Sequence, residues 1–175
     1  MMHPVPVPAD SRVQPSLPTA YFFDAYELAV ENDGRTALDL YLELVAGTPA
    51  WIEFLMGLRN RIVTLFGLKN IGGLRNVEAS KNAYRYKVGD RAGIFSILSL
   101  SDQEVVLVDN DKHLNAQVSV YKHAGEPQKV VVTTVVHVHN FLGRAYLFFV
   151  VPAHKIIVPM MLAQLAKINS KINNQ

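Results

Sequence analysis

Two histidines, His137 and His139, stand two residues apart in a β-branched stretch, so on a strand both imidazoles would leave the same face. Two imidazoles suit zinc, which takes a third protein ligand at a catalytic site. His154 would complete the set only if the following segment folded back, and no Asp or Glu is placed by spacing to do so. The expectation is no metal and no cofactor. His154 itself follows Pro152, where a helix is predicted to begin. A helix N-terminus disfavours added positive charge, which points to a neutral imidazole that meets a ligand or pins the start of the helix. Arg59 borders the apolar stripe of an earlier helix, so its stem is expected to be buried while its guanidinium reaches a carboxylate. Asp24 and Glu27 are candidate partners, and an acidic ligand is the alternative. Arg144, in a Gly-Arg turn, offers the same choice.

Tyr84, Tyr86, Tyr121 and Tyr146 are amphipathic rings in strand-like segments. Each hydroxyl suits either a bound guest or the rim of a core. Met160 and Met161 suit a plastic cavity wall or ordinary packing. The serines lack a nucleophile elbow, Asp109 and Asp111 fall in a turn, and Gly72-Gly73 lacks the spacing of a phosphate loop. The ligand-binding candidates are therefore His154, Arg59, Tyr84, Tyr86, Tyr146 and Met161, and no catalytic set emerges.

The elements that must carry these residues read as follows. Ala20 to Val30 is a strand, and Asn32-Asp33-Gly34 a turn. Thr36 and Asp39 form a capping box ahead of Leu38, Tyr41, Leu42 and Val45 on one helical face, which Gly47 ends. Thr48-Pro49 opens a second helix whose Trp51, Leu55, Leu58, Ile62 and Leu65 form an apolar stripe. Leu68 to Asn82 is irregular. From Ala83 the period changes to two, giving strands at Tyr84–Tyr86, Ile94–Leu100, Glu104–Val108, His113–His123, Lys129–His139 and Tyr146–Val151. Pro152 opens the last helix, striped by Ile157, Met161, Leu165, Ile168 and Ile172, with a kink expected at Pro159. The sum is an α+β fold of seven antiparallel strands wrapped around a long C-terminal helix.

The chain of 175 residues is 50% hydrophobic and 18% charged, a composition sufficient for one domain with a real core. It divides into a proline-rich extended arm, 1–18, and a single domain, 19–175. With no cysteine, disulfides and thiolate metal sites are excluded. Seventeen Lys and Arg against fifteen Asp and Glu give +2, and the basic run from Arg59 to Lys87 includes Glu78, so no nucleic-acid partner is expected. No signal peptide is read at the start, and His154, Lys155 and two prolines interrupt the apolar stretch from Ala145 to Ala166. The expected setting is cytoplasmic, without an integral membrane segment.

Certain stretches resemble a known family. Pro49-Ala50-Trp51 with Leu58-Arg59-Asn60 and Phe66-Gly67-Leu68 is one, and Gly143-Arg144-Ala145-Tyr146-Leu147 with Pro152-Ala153-His154 and Ile157-Val158 is another. Together they resemble the uncharacterised, mostly bacterial family catalogued as domain of unknown function 2867. The element order resembles the helix-grip layout of START and Bet v 1-like proteins. That resemblance implies a sheet gripping a helix around a cavity, and relatives that bind lipids, steroids or polyketide-like molecules or act as cyclases or hydrolases. The leading expectation is a small hydrophobic or amphipathic ligand held between sheet and C-terminal helix. A cavity enzyme of cyclase, hydrolase or dehydratase type is the alternative, as is a non-catalytic homodimeric interaction protein, since Lys129 to Val138 is valine-rich on both faces.

Overall fold

The computed structural model describes residues 4–31, 33–65, 73, 83–125 and 128–172, with the side chains of 58, 59, 62–65 and 167–172 outside that description. Its architecture is α+β, an antiparallel sheet with helices on one face. Strand β1 (Phe22–Val30) precedes helices α1 (Ala37–Ala46) and α2 (Ala50–Leu65). Then come β2 (Arg91–Ala92), β3 (Phe95–Leu100), β4 (Glu104–Asn110), β5 (Leu114–Lys122), β6 (Gln128–Val138) and helix α3 (Phe141–Ile172). The sheet has six strands in the order β1-β6-β5-β4-β3-β2, a meander to which the first strand is added at the far edge.

The first helix forms as its residues dictate. The Thr36 side chain accepts from the Asp39 amide at 3.2 Å, and the Asp39 carboxylate accepts from the Thr36 amide at 2.8 Å. Both bonds satisfy amides that a helix start leaves free. Leu38, Tyr41 and Val45 are buried on the predicted face. The α2 stripe is different. Ile52 is buried, whereas Trp51 and Leu55 are exposed together with Phe54. The helix is rotated about its axis relative to the stripe of largest side chains. Leu58, Ile62 and Leu65 fall among the undescribed side chains.

Two predicted strands are absent, and the two-residue β2 stands where none was predicted. Tyr84 and Tyr86 lie on and just after a 3-10 turn, Ala83–Arg85, not on a strand. Tyr146 and the run to Val151 belong to α3. The residues there are good strand formers, but a helical period runs through them: Leu147, Val151, His154, Val158, Leu162 and Leu165 turn toward the domain, and Leu147, Leu162 and Leu165 are buried. Asn140 starts the helix, its Oδ1 accepting from the Gly143 amide at 3.2 Å and its carbonyl from the Arg144 amide at 3.3 Å. Gly143 is therefore not a hairpin turn. A Cβ there would stand 2.4 Å from the His113 carbonyl oxygen, so glycine lets α3 sit against the end of the sheet. The helix begins well before Pro152, and both Pro152 and Pro159 lie inside it.

The main core joins the inner side of the sheet to α1 and the C-terminal half of α3, through Tyr26, Leu28, Leu40, Tyr41, Val120, Val132, Leu162 and Leu165. A smaller cluster of Leu114, Val136 and Leu147 seats the first turns of α3. The outer side of the sheet is covered by the N-terminal segment of the same chain. Val5 donates to the Ala25 carbonyl at 2.9 Å along the β1 edge. Beyond it, Val13 packs with Val106 and Val135, flanked by Val7, Leu17 and Ala20. This explains why β6 is apolar on both faces: Val130 and Val132 face the helices, and Val135 faces the segment. Ser119 and Tyr121 on β5 are buried as well.

Candidate functional site

A cleft lies at one end of the sheet, where the start of α1, the 3-10 turn and the β3–β4 turn meet. Its volume is about 230 Å³, and it is lined by Thr36, Leu38, Ala83, Tyr84, Tyr86, Leu100, Ser101 and Asp102. Each wall has a local cause. The β3–β4 turn is tied by the Ser101 hydroxyl, which donates to the Glu104 carbonyl and accepts from the Glu104 amide, both at 3.0 Å. The Ala37 amide donates to the Asp102 carbonyl at 3.0 Å, so the turn and the head of α1 hold one another. Tyr86 is 4% exposed and belongs to the core, while Tyr84 is 87% exposed and stands at the mouth. The cleft offers Leu38, Leu100 and two rings as apolar contact, with Asp102 and the hydroxyl side chains as polar contact.

Beneath this cleft, Tyr41 donates to the Ala92 carbonyl at 2.9 Å. Burial, and after it the proximity of Tyr86, raises its phenol well above the ordinary range. Tyr41 is thus a neutral hydrogen-bond donor at any ordinary pH.

The other predicted residues are distributed elsewhere. His154 sits inside α3, away from any helix N-terminus, and its Nε2 is 3.0 Å from Asp24 Oδ1 on β1. The Phe22 ring meets the imidazole edge-on at 5.6 Å between centroids. The carboxylate that sequence reading offered to Arg59 is thus taken by His154. Glu27, the other offered partner, pairs with Lys129 at 2.8 Å. The Arg59 side chain lies outside the described residues. Tyr146 packs, partly buried, against the Leu114–Val136–Leu147 cluster. Met161 lines a seam between α1 and α3 with Glu43, Leu44, Gly47, Gln164 and Leu165, which has no volume for even a water. Among the described residues, Tyr84 and Tyr86 are the candidates brought together at one cleft, and neither of these two spaces is lined by His154.

His137 and His139 do not act as a pair. His137 faces the outer segment, 3.0 Å from the Ser16 carbonyl and 3.2 Å from the Thr19 hydroxyl. His139 lies past the end of β6, where its amide donates to the His113 carbonyl at 2.9 Å. Among the described residues no group of three or more His, Cys, Asp or Glu is arranged to hold a metal ion.

Sequence reading missed Glu104. It is buried on β4, and its Oε1 accepts from the Ser11 hydroxyl at 2.6 Å and the Ser119 hydroxyl at 2.7 Å. The Arg12 amide donates to its Oε2 at 3.0 Å. An acid at the first position of a valine-rich strand, after a Ser-Asp turn, was the available signal.

The site and fold define a class: an α+β domain with a meandering antiparallel sheet, a C-terminal helix on one face and a small tyrosine-lined cleft at one end. The chain belongs to the family described as Protein of unknown function (DUF2867), whose model matches residues 16–161. No curated protein and no solved structure matches it.

Proposed function

We propose that this domain binds a small amphipathic molecule, without covalent chemistry, in the cleft between the head of α1 and the β3–β4 turn. The observation that carries the reading is the 230 Å³ opening floored by core Tyr86 and Leu38 and edged by exposed Tyr84 and Asp102. Sites for drug-sized ligands run from roughly 300 to 1,000 Å³, so this one suits a compact molecule or one end of a longer one. Mostly apolar walls with a few polar groups are the usual composition of such sites. The six-stranded sheet with its C-terminal helix is compatible with a helix-grip protein, whose fold-level analogy favours binding. The ligand's place here is the α1 side of the sheet, since the seam beside Met161 is filled.

The test is native mass spectrometry on freshly purified protein, followed by displacement of anilinonaphthalene sulfonate. The expected result is a small-molecule mass excess that solvent extraction releases. Tyr84→Ala, which removes a ring from the mouth without touching the core, is expected to weaken retention by roughly tenfold, the loss of about 1.4 kcal/mol of apolar contact. Equal native and denatured masses, together with probe binding that Tyr84→Ala leaves unchanged, overturn the proposal.

The His154–Asp24 pair supports a second reading, proton transfer by an imidazole oriented by a carboxylate. It predicts a turnover that His154→Gln abolishes while the thermal midpoint and Tyr84-dependent retention stay intact.

A further inference from the structure

Helix α3 has a second apolar face that the sheet does not use. Its inner side is buried through Leu147, Leu162 and Leu165, and His154 ties it to Asp24. On the opposite side Phe141, Phe148, Phe149 and Ile156 are 82%, 76%, 74% and 67% exposed. Pro152 and Ala153 between them are exposed as well. At 3.6 residues per turn these positions fall within one arc of the helix. The stretch Phe141–Ala166 is long and apolar enough to cross a membrane, its most apolar 18-residue window having a mean hydropathy of 1.7, yet only 17% of that window is buried. A core helix with that composition is mostly buried, so packing within the domain does not account for it. Exposed apolar patches of this kind mark interaction surfaces.

Charge selects the occupant. The sequence of α3 contains Arg144, Lys155, Lys167 and Lys171 and neither Asp nor Glu. Arg144 and Lys155 are exposed and border the aromatic arc. Lys155 Nζ stands over the Phe22 ring, 5.9 Å from its centre, so this cation sits directly against aromatic surface. In a two-fold contact between copies the same patch meets itself, which sets these cations against their equals. A surface of anionic lipid satisfies both halves of the pattern: acyl chains cover the rings, and headgroups meet the cations.

We propose that α3 docks the domain on an anionic lipid bilayer, lying in the plane of the interface with Phe148 and Phe149 entering the acyl boundary and Arg144 and Lys155 among the headgroups. The helix lies on the membrane and does not span it, because spanning would break the His154–Asp24 bond and strip Leu147, Leu162 and Leu165 from the domain. The proposal is independent of the cleft.

The experiment is flotation of the full chain with vesicles of phosphatidylcholine alone or mixed with phosphatidylglycerol, beside sedimentation velocity of the protein without lipid. Binding to the mixed vesicles is expected, falling roughly tenfold on neutral vesicles and again when salt is raised. Phe148→Ser with Phe149→Ser is expected to cost about a hundredfold in vesicle affinity with an unchanged thermal midpoint. Ile156→Ser provides a milder loss should the double variant fold poorly. Arg144→Glu with Lys155→Glu should abolish the preference for anionic lipid. Absence of flotation with either vesicle overturns the proposal. So does flotation indifferent to all of these variants, or a dimer in solution that the Phe148/Phe149 variant dissociates, which would assign the face to a second copy.

Discussion

Tyr41 shows how much a single buried hydroxyl sets the behaviour of the core. Its phenol is held neutral by burial next to Tyr86 and is spent on the Ala92 carbonyl. A tyrosine whose folded pKa is raised favours the protonated folded state. Its contribution is therefore complete below the ordinary tyrosine value of about 10 and is lost as pH climbs from there toward the folded value. The expected result is a thermal midpoint that falls steeply on the alkaline side. Tyr41→Phe should lower stability at neutral pH by about 1 kcal/mol, by removing the bond to Ala92, yet flatten that alkaline limb. Tyr26, raised by burial and then by the Asp24 carboxylate, leaves a residual slope. Thermal melts of both proteins across the alkaline range check this. At this scale the sequence was only partly legible. Tyrosines were recognisable as amphipathic, but Tyr84 and Tyr86 differ completely in exposure because a 3-10 turn separates them where a strand would have aligned them. His154 was legible as a residue that meets a ligand or pins the helix, and the carboxylate it found is one of the two that the sequence offered to Arg59.

Among the elements, α3 is where local propensity and tertiary packing disagree. Tyr146 to Val151 reads as strand by residue type, and Gly143-Arg144 reads as a turn. Packing decides otherwise, because the i, i+4, i+3 stripe starting at Leu147 matches the sheet's inner surface, and Gly143 admits the helix against His113. Gly143→Ala should therefore destabilise despite alanine's better helix propensity. The intruding Cβ meets a backbone oxygen that cannot swing away, and overpacking of this kind costs about 1–3 kcal/mol. Urea denaturation at matched m-value measures it, and a stabilised variant would show that α3 can slide. The capping box of α1, by contrast, was legible in full because its two side chains are three residues apart and act only on each other. Signals that close within one turn survive folding, whereas signals that depend on a partner element do not show which partner wins.

For the whole molecule, the N-terminal segment matters more than its proline content suggested. The sequence reads residues 1–18 as an arm, and residues 14–19 wind into a 3-10 helix. No local pattern names its partners, since Ser11, Arg12 and Glu104 meet only across 92 or 93 residues of sequence. The segment supplies every bond to the Glu104 carboxylate except that from Ser119 and covers Val106 and Val135. Deleting residues 1–13 is expected to cost about 3 kcal/mol or more, combining the burial of Val13 with an acid stripped of its donors. Denaturation midpoints check the cost, and Glu104→Leu in the truncated background should recover part of it by removing the carboxylate. The sheet's order follows from the same long-range logic. Hydrophobic alternation revealed the strands β3 to β6, but no local pattern states that β1 lies beside β6.

That last pairing has a consequence for how the chain is made. Glu27 of β1 and its partner Lys129 of β6 are separated by 102 residues, and all nine residues of β1 find their ladder there. At synthesis rates of roughly 5–20 residues per second, β1 leaves the ribosome about 5–20 seconds before β6 does. Through that interval Phe22, Tyr26 and Leu28 travel without a neighbour strand, and the meander from β2 to β6 must assemble before the first strand can be recruited. The apolar side chains of the opening strand are thus the last in the sheet to gain their neighbour, and slowing translation between β1 and β6 lengthens that exposure.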